Sequence, residues 1–252
     1  MMKKKARTIC SVAVVAWGLL GGVAQPVWAT TRHLDSFTAT YDLQVGPLSV
    51  ARLEYALESR QDTYRYRLTS QPKGLAALFS GEARNEEVQG RWLEDGVPQP
   101  MRYQRTDHPG TRDIVHAVAF DWPGKQLRIE TDGDVDTTSL PDHTLDPMSE
   151  QLRLMQQVAA GAAGTIEHVV ANLKGIKHWR FRVGRKEEIR GPQGMVQAIR
   201  VDRIDQEKKQ LTLWFAPELD HMLVRLQQKK KGKPTVIITL VQMTREAKGK
   251  GS

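Results

Sequence analysis

The sequence is poor in the residues that most often carry chemistry in small exported proteins. It has one cysteine, Cys10, set at the start of an apolar run in the first 29 residues. If that leader is removed, no disulfide, thiolate nucleophile or thiolate metal ligand remains, so stability must come from a hydrophobic core. Beyond the leader no apolar run approaches the roughly 20 residues of a bilayer-spanning helix. The stretch TVIITLV at 235–241 is long enough only for a buried strand. GxSxG does not occur there, and phosphate-cradling glycine loops are absent too. The seven histidines, His33, His108, His116, His143, His168, His178 and His221, show no HxH or HExxH spacing, so metal ligands would have to converge from distant segments.

The leader itself is informative. Lys3, Lys4, Lys5 and Arg7 precede an apolar run from Ile9 to Ala24, which is followed by Val27-Trp28-Ala29. That layout predicts a signal peptide over residues 1–29, cut after Ala29, and hence a periplasmic protein with no transmembrane segment once it is cut. Removing four of the 37 basic residues leaves 33 against 29 acidic ones, so the formal charge falls from +8 to +4. Part of the excess lies in KKKGK at 229–233 and in the terminal REAKGKGS. These runs read either as a solvated loop and a frayed tail, or as contacts to anionic headgroups or lipopolysaccharide phosphates. No aromatics interleave with them, and no nucleic-acid partner is expected.

The body of the chain alternates. Phe37, Ala39, Tyr41, Leu43 and Val45 share one strand face; Leu53, Tyr55 and Leu57 follow on a second strand, then Tyr64, Tyr66 and Leu68 on a third. Short polar turns between them indicate an antiparallel meander. Strand patterns continue to the end, roughly a dozen in all, with two interruptions. GLAALF at 74–79 is apolar without alternation and reads as a short helix or a flap. LDPMSEQLRLMQQVAAG at 145–161 reads as a helix over 146–160: Asp146 caps it, Pro147 takes the first turn and Gly161 ends it. Met148, Leu152, Met155 and Ala159 form its apolar stripe, with Gln151, Arg153 and Gln157 opposite. The expected fold is mainly β: a strongly curved antiparallel sheet or incomplete β-barrel with one packed α-helix. It forms a single domain over 30–244, followed by a disordered basic tail at 245–252.

Two acidic patterns bear on chemistry. Asp132, Asp134 and Asp136 occupy the first positions of a calcium loop, but Thr137 stands at the glycine position and His143 at the bidentate glutamate position. Glu86-Glu87 and Glu187-Glu188 are adjacent on strands, so each pair points to opposite faces. No metal or cofactor is expected, and no catalytic residue is assigned. Apolar inner surface remains: a concave sheet binding a lipid or other apolar ligand would use Tyr41, Tyr55, Tyr66, Met148, Leu152, Met155 and Trp179. The competing readings are a filled core, an envelope hydrolase with a dispersed site, and a scaffold that pairs with an envelope protein.

The succession FTATYDLQVGPLSVARLEYAL, SGEARNEEVQGRWLEDGVPQPMRYQ, LDPMSEQLRLM, GPQGMVQAIRV, LTLWFAPELDHMLVRLQ and ITLVQM resembles the exported bacterial domain-of-unknown-function family 3108 across nearly the whole remaining chain. Asp146, Pro147, Ser149, Gly194 and Trp214 to Pro217 carry the likeness most clearly. One departure is Leu223, where the family tends to have proline. The resemblance implies an envelope location and a mostly antiparallel β fold, akin to the open barrels of periplasmic lipid and lipoprotein carriers. It implies no activity and no catalytic residues.

Overall fold

The computed structural model describes residues 33–74, 82–109 and 113–245. The leader, most of GLAALF and residues 246–252 lie outside the described residues.

Eight strands follow one another: β1 (Phe37–Val45), β2 (Leu48–Ser59), β3 (Thr63–Pro72), β4 (Glu82–Trp92), β5 (Pro98–Pro109), β6 (Ile114–Asp121), β7 (Gln126–Thr131) and β8 (Asp134–Ser139). One helix, α1 (Pro147–Ala159), intervenes. Six more strands complete the chain: β9 (Gly164–Asn172), β10 (Gly175–Gly191), β11 (Gly194–Arg203), β12 (Lys209–Ala216), β13 (Met222–Lys230) and β14 (Val236–Arg245). All fourteen form one antiparallel sheet, ordered β8-β7-β6-β5-β4-β3-β2-β1-β14-β13-β12-β11-β10-β9. Sequential hairpins build each half, and the pairing of β1 with β14, Phe37 opposite Arg245 through Val45 opposite Val236, joins them.

The sheet does not close, because β8 and β9 lie at opposite edges. The chain crosses from one edge to the other through α1. Just before the helix, Leu145 adds a short parallel bridge to Val170. Its amide donates to the Val169 carbonyl at 2.9 Å, and it accepts from the Ala171 amide at 2.8 Å. That bridge satisfies part of the β9 edge. By contrast β8 is exposed along its whole length. Its sequence, DVDTTS, has no buried face to enforce alternation, which is why it was legible only as turn-like acidic sequence.

Period-two patterning sets which side chains turn inward. Phe37, Leu57, Tyr66, Val88, Tyr103, Val118 and Ile129 lie in register across β1 to β7 and are all buried. From the other half come Phe181, Val201, Leu213 and Phe215. Gly90 belongs to this face because a Cβ there would lie 2.5 Å from the Tyr64 ring.

The helix fills the concavity between the halves. Its start is as expected: the Asp146 side chain accepts from the Met148 amide at 2.8 Å and the Ser149 amide at 3.2 Å, and Gly161 adopts φ +81 after the last turn. The one-sided burial expected of it does not hold. Leu154 and Val158 are buried along with Met148, Leu152 and Met155, while Ala159, assigned to the stripe, is exposed. The polar side chains of Ser149, Glu150 and Gln156 are buried as well. The reason is tertiary: α1 meets β4, β5 and β9, so the curved sheet wraps it instead of touching one side. Five buried apolar side chains at about 1.5–3 kcal/mol each make this helix a main source of stability.

Candidate ligand cleft

Along the inner face, what lies beneath the helix differs from what lies beyond it. Under α1 the polar groups are few and most are partnered. The Ser149 hydroxyl donates to the second carboxylate oxygen of Asp146, and the Tyr64 hydroxyl lies 2.7 Å from Ser149 Oγ. Burial pushes the Asp146 carboxyl up to about 6, against the lowering effect of its Ser149 and backbone donors. Tyr64 is also raised, by burial first and by the charge of Asp146 second. Glu150 Oε1 sits 3.2 Å from His168 Nδ1, and Gln157 Oε1 sits 2.8 Å from His168 Nε2, which ties the helix to β9. Ser149 therefore has Asp146 and Tyr64 as partners and no histidine among them.

Beyond the helix the same strand faces continue with Leu68 and Ser70 on β3, Arg84 and Glu86 on β4, and Arg105 and Asp107 on β5. Two cavities lie there. The smaller, about 380 Å³, is apolar at one end, where Leu43, Leu53, Tyr55, Leu68 and Ile238 converge, and is rimmed by Arg84, Glu86 and Asp107. The larger, about 720 Å³, has Arg84, Glu86, Tyr103 and Arg105 on one wall; Lys174, Lys177, Trp179, Arg203, Asp205 and Lys209 are on the other, and Pro147 of the helix start also lines it. Both volumes fall in the range of small-molecule sites. Arg84 and Glu86 line both cavities, so the two are neighbours that share this wall.

The charges of the larger cavity are unequally matched. Arg105 Nη2 lies 2.6 Å from Asp107 Oδ2, and Arg84 Nε lies 3.1 Å from Asp107 Oδ1. Burial tends to raise Asp107, but hydrogen bonds and charge from Arg105 and Arg84 outweigh it and hold the carboxyl below its usual range. The Tyr103 hydroxyl donates to Glu86 at 2.8 Å. Arg203 forms a two-point pair with Asp205, 2.8 Å at each bond, and its guanidinium lies 3.8 Å over the Trp179 ring. Lys174, Lys177 and Lys209 have no acidic partner among the described residues. Lys209 is lowered, by burial first and then by the neighbouring cations Arg203 and Lys230.

Of the residues expected to bind an apolar ligand, Tyr55 and Trp179 line these cavities. Tyr41, Tyr66, Met148, Leu152 and Met155 belong to the packed core, and the Tyr41 hydroxyl donates to the Leu223 carbonyl at 2.8 Å. The structure brings Tyr55 into ring contact with Tyr41 and Tyr66, at 5.4 and 5.7 Å. It leaves Trp179 apart, beside Arg203. Sequence reasoning passed over the charged lining, although a signal existed. Lys177 has the parity of Trp179 and Phe181, Lys209 that of Leu211 and Leu213, and Glu86 that of Val88. Charges at inward positions mark where a concave face meets water. Asp134 and Asp136, weighed as calcium ligands, are exposed on β8. Among the described residues no group of three or more His, Cys, Asp or Glu is placed to hold a metal ion.

The model of the family described as protein of unknown function DUF3108 matches residues 36–236. The chain belongs to that family. No curated protein matches it. Among solved structures, this DUF3108 chain is similar to the β-barrel-like DUF1849 protein from Brucella abortus. That pair is 11% identical with a TM-score of 0.53, over 86% of this chain and 100% of that one. It is less similar to a protein from Bacteroides fragilis classed as exported, with a YmcC-like fold, at 12% identity and a TM-score of 0.36 over 85% of this chain and 98% of that one. The Brucella likeness shows the fold alone, a β-barrel-like sheet left open. Among the described residues no helix is long and apolar enough to cross a membrane.

Proposed function

We propose that this DUF3108 chain is a non-enzymatic binding protein of the cell envelope, which takes an amphiphile into the open end of its concave sheet. One observation carries this reading. The apolar cavity at Leu43, Leu53, Tyr55, Leu68 and Ile238 adjoins a basic cleft, with Arg84 and Glu86 lining both. Such a site suits a ligand with an apolar chain at one end and a charged group at the other. Apolar area removed from water supplies the affinity for the chain, at about 25 cal/mol per Å². Trp179 and Tyr55 offer rigid walls with polar edges. The leader pattern of residues 1–29 supports action after export to the periplasm.

The test is native mass spectrometry of protein purified from its own periplasm, followed by extraction and identification of what leaves with denaturation. A retained amphiphile near one per protein is the expected result, with Ile238→Trp, which fills the apolar cavity, losing it. Protein that carries nothing, and that binds no added short-chain lipid, would remove this reading.

A further inference from the structure

We infer that the basic cleft is a phosphate site in which Lys174, Lys177 and Lys209 receive the phosphate group of a ligand, beside a wall made by Arg203 and Trp179. This inference rests on the proposed binding of an amphiphile where that phosphate is a lipid headgroup, but the site's chemistry is the same for free phosphate. The choice of phosphate over carboxylate follows from which cations remain available. A guanidinium recognises a planar carboxylate by two parallel hydrogen bonds, and the arginines placed to do so are already engaged. Arg203 holds Asp205 at two points, and Arg84 and Arg105 share Asp107. The cations left without an acidic partner are all lysines. Lysine ammonium groups act as compact point charges with rotatable donors, which suits an anion of more than one charge with oxygens on several sides. Three of them lining one cavity repel one another until such an anion enters. Burial and the cations Arg203 and Lys230 already disfavour the charged form of Lys209, which an entering anion would offset. The neighbouring acids of the cleft do not relieve it: Asp205 is committed to Arg203 and Glu86 to Tyr103.

A second lysine cluster, Lys208, Lys229, Lys230 and Lys231 around the β12–β13 ends, provides an internal control for unspecific charge. The experiment is isothermal titration of the full mature chain with four probes: dihexanoyl phosphatidic acid, dihexanoylglycerol hemisuccinate, dihexanoylglycerol and inorganic phosphate. Phosphatidic acid is expected to bind about tenfold more tightly than the hemisuccinate, which has the same chains and a carboxylate, with affinity falling as salt is added. Lys174→Gln, Lys177→Gln and Lys209→Gln are each expected to weaken phosphatidic acid by about fivefold, and Lys229→Gln with Lys231→Gln by about twofold or less. Thermal unfolding of each variant in the absence of ligand checks that the fold is retained.

The outcomes separate the two readings. Equal binding of phosphatidic acid and dihexanoylglycerol, unaffected by the cleft lysines, overturns the phosphate site and leaves amphiphile binding intact. Equal binding of phosphatidic acid and the hemisuccinate also overturns it. Binding of inorganic phosphate but of no lipid, lost with the cleft lysines, supports the phosphate site and overturns the amphiphile reading. Loss of affinity equally from the cleft and the control lysines reduces the cleft to unspecific charge and overturns the inference.

Discussion

The two ends of one concave face follow the same alternation and serve opposite purposes. At the helix end, Tyr66, Val88, Val118 and Ile129 are buried, and every helix side chain from Met148 to Val158 is buried or half-buried. At the open end the equivalent rows carry Leu68, Glu86, Arg105 and His116, and the apolar residues Leu43, Tyr55 and Ile238 remain only half-buried. Alternation decides which way a side chain points; the length of the helix decides whether it meets protein or space. A thirteen-residue helix spans about 20 Å and cannot cover strands as long as β2 or β5 in full. The uncovered remainder is where a ligand can be accommodated without displacing the core.

Substitutions at matched positions should sharpen this contrast. The largest effect is expected at Leu152, which is wholly buried under the sheet. Leu152→Asp should abolish cooperative unfolding in urea, and Leu152→Ala should cost about 2–5 kcal/mol. At the open end Leu43→Ala should cost about 1 kcal/mol. Equal losses at Leu152 and Leu43 would mean that the open end is as much core as the helix end.

Next in size is the buried carboxyl at the helix start. Asp146 has its folded value raised to about 6 from an ordinary 3.8, so the folded state holds the proton more tightly than the unfolded one. Its contribution is most favourable below about pH 4 and is lost as pH rises to about 6, on the order of 3 kcal/mol in all. The stability difference between wild type and Asp146→Asn should therefore move in favour of the asparagine variant between pH 4 and pH 7. Using the difference cancels the opposite slope of Asp107 and Asp205, whose lowered carboxyls lose stability only in more acid solution. Asp146→Ala should in addition lose the cap, about 0.5–2 kcal/mol by urea titration.

The remaining effects are small by design. Ile238→Trp should change unfolding free energy by about 1 kcal/mol or less while removing amphiphile binding, because it fills space that the core does not use. Lys174→Gln should leave stability within about 0.5 kcal/mol. The outward pair of Arg65, exposed, and Glu87, half-buried, at 3.1 Å, should be worth about 0.2–1 kcal/mol in a double-mutant cycle. A larger value for that pair would show that the outer face contributes more than its exposure implies.

Much of this architecture was already legible in residue order. Alternation from Phe37 to Val45 and through the later strands reports a half-buried sheet, because a strand with one wet face must place apolar groups at every second position. Asp146, Pro147 and Gly161 report a helix and its ends, because capping is local chemistry. Burial of both sides of α1 was not legible. Gln156 looks like a solvent-facing residue until it is seen that its amide donates to the Gly96 carbonyl at 2.7 Å, across 60 positions of sequence. The cleft was half legible: Tyr55 and Trp179 were expected, while Lys177, Arg203 and Lys209 read as ordinary strand charges.

By itself, then, the sequence determined most of the strands and the helix after Asp146 with its cap, since each depends on contacts within a few residues. Tertiary structure alone decided that β1 pairs with β14, that α1 is enclosed, that Tyr41 and Tyr66 are core while Tyr55 lines space, and that lysines from the β9–β10 turn, β10 and β12 share one cavity. Those outcomes depend on how far the sheet curves and where the helix stops beneath it, and both are set by packing between residues distant in the chain.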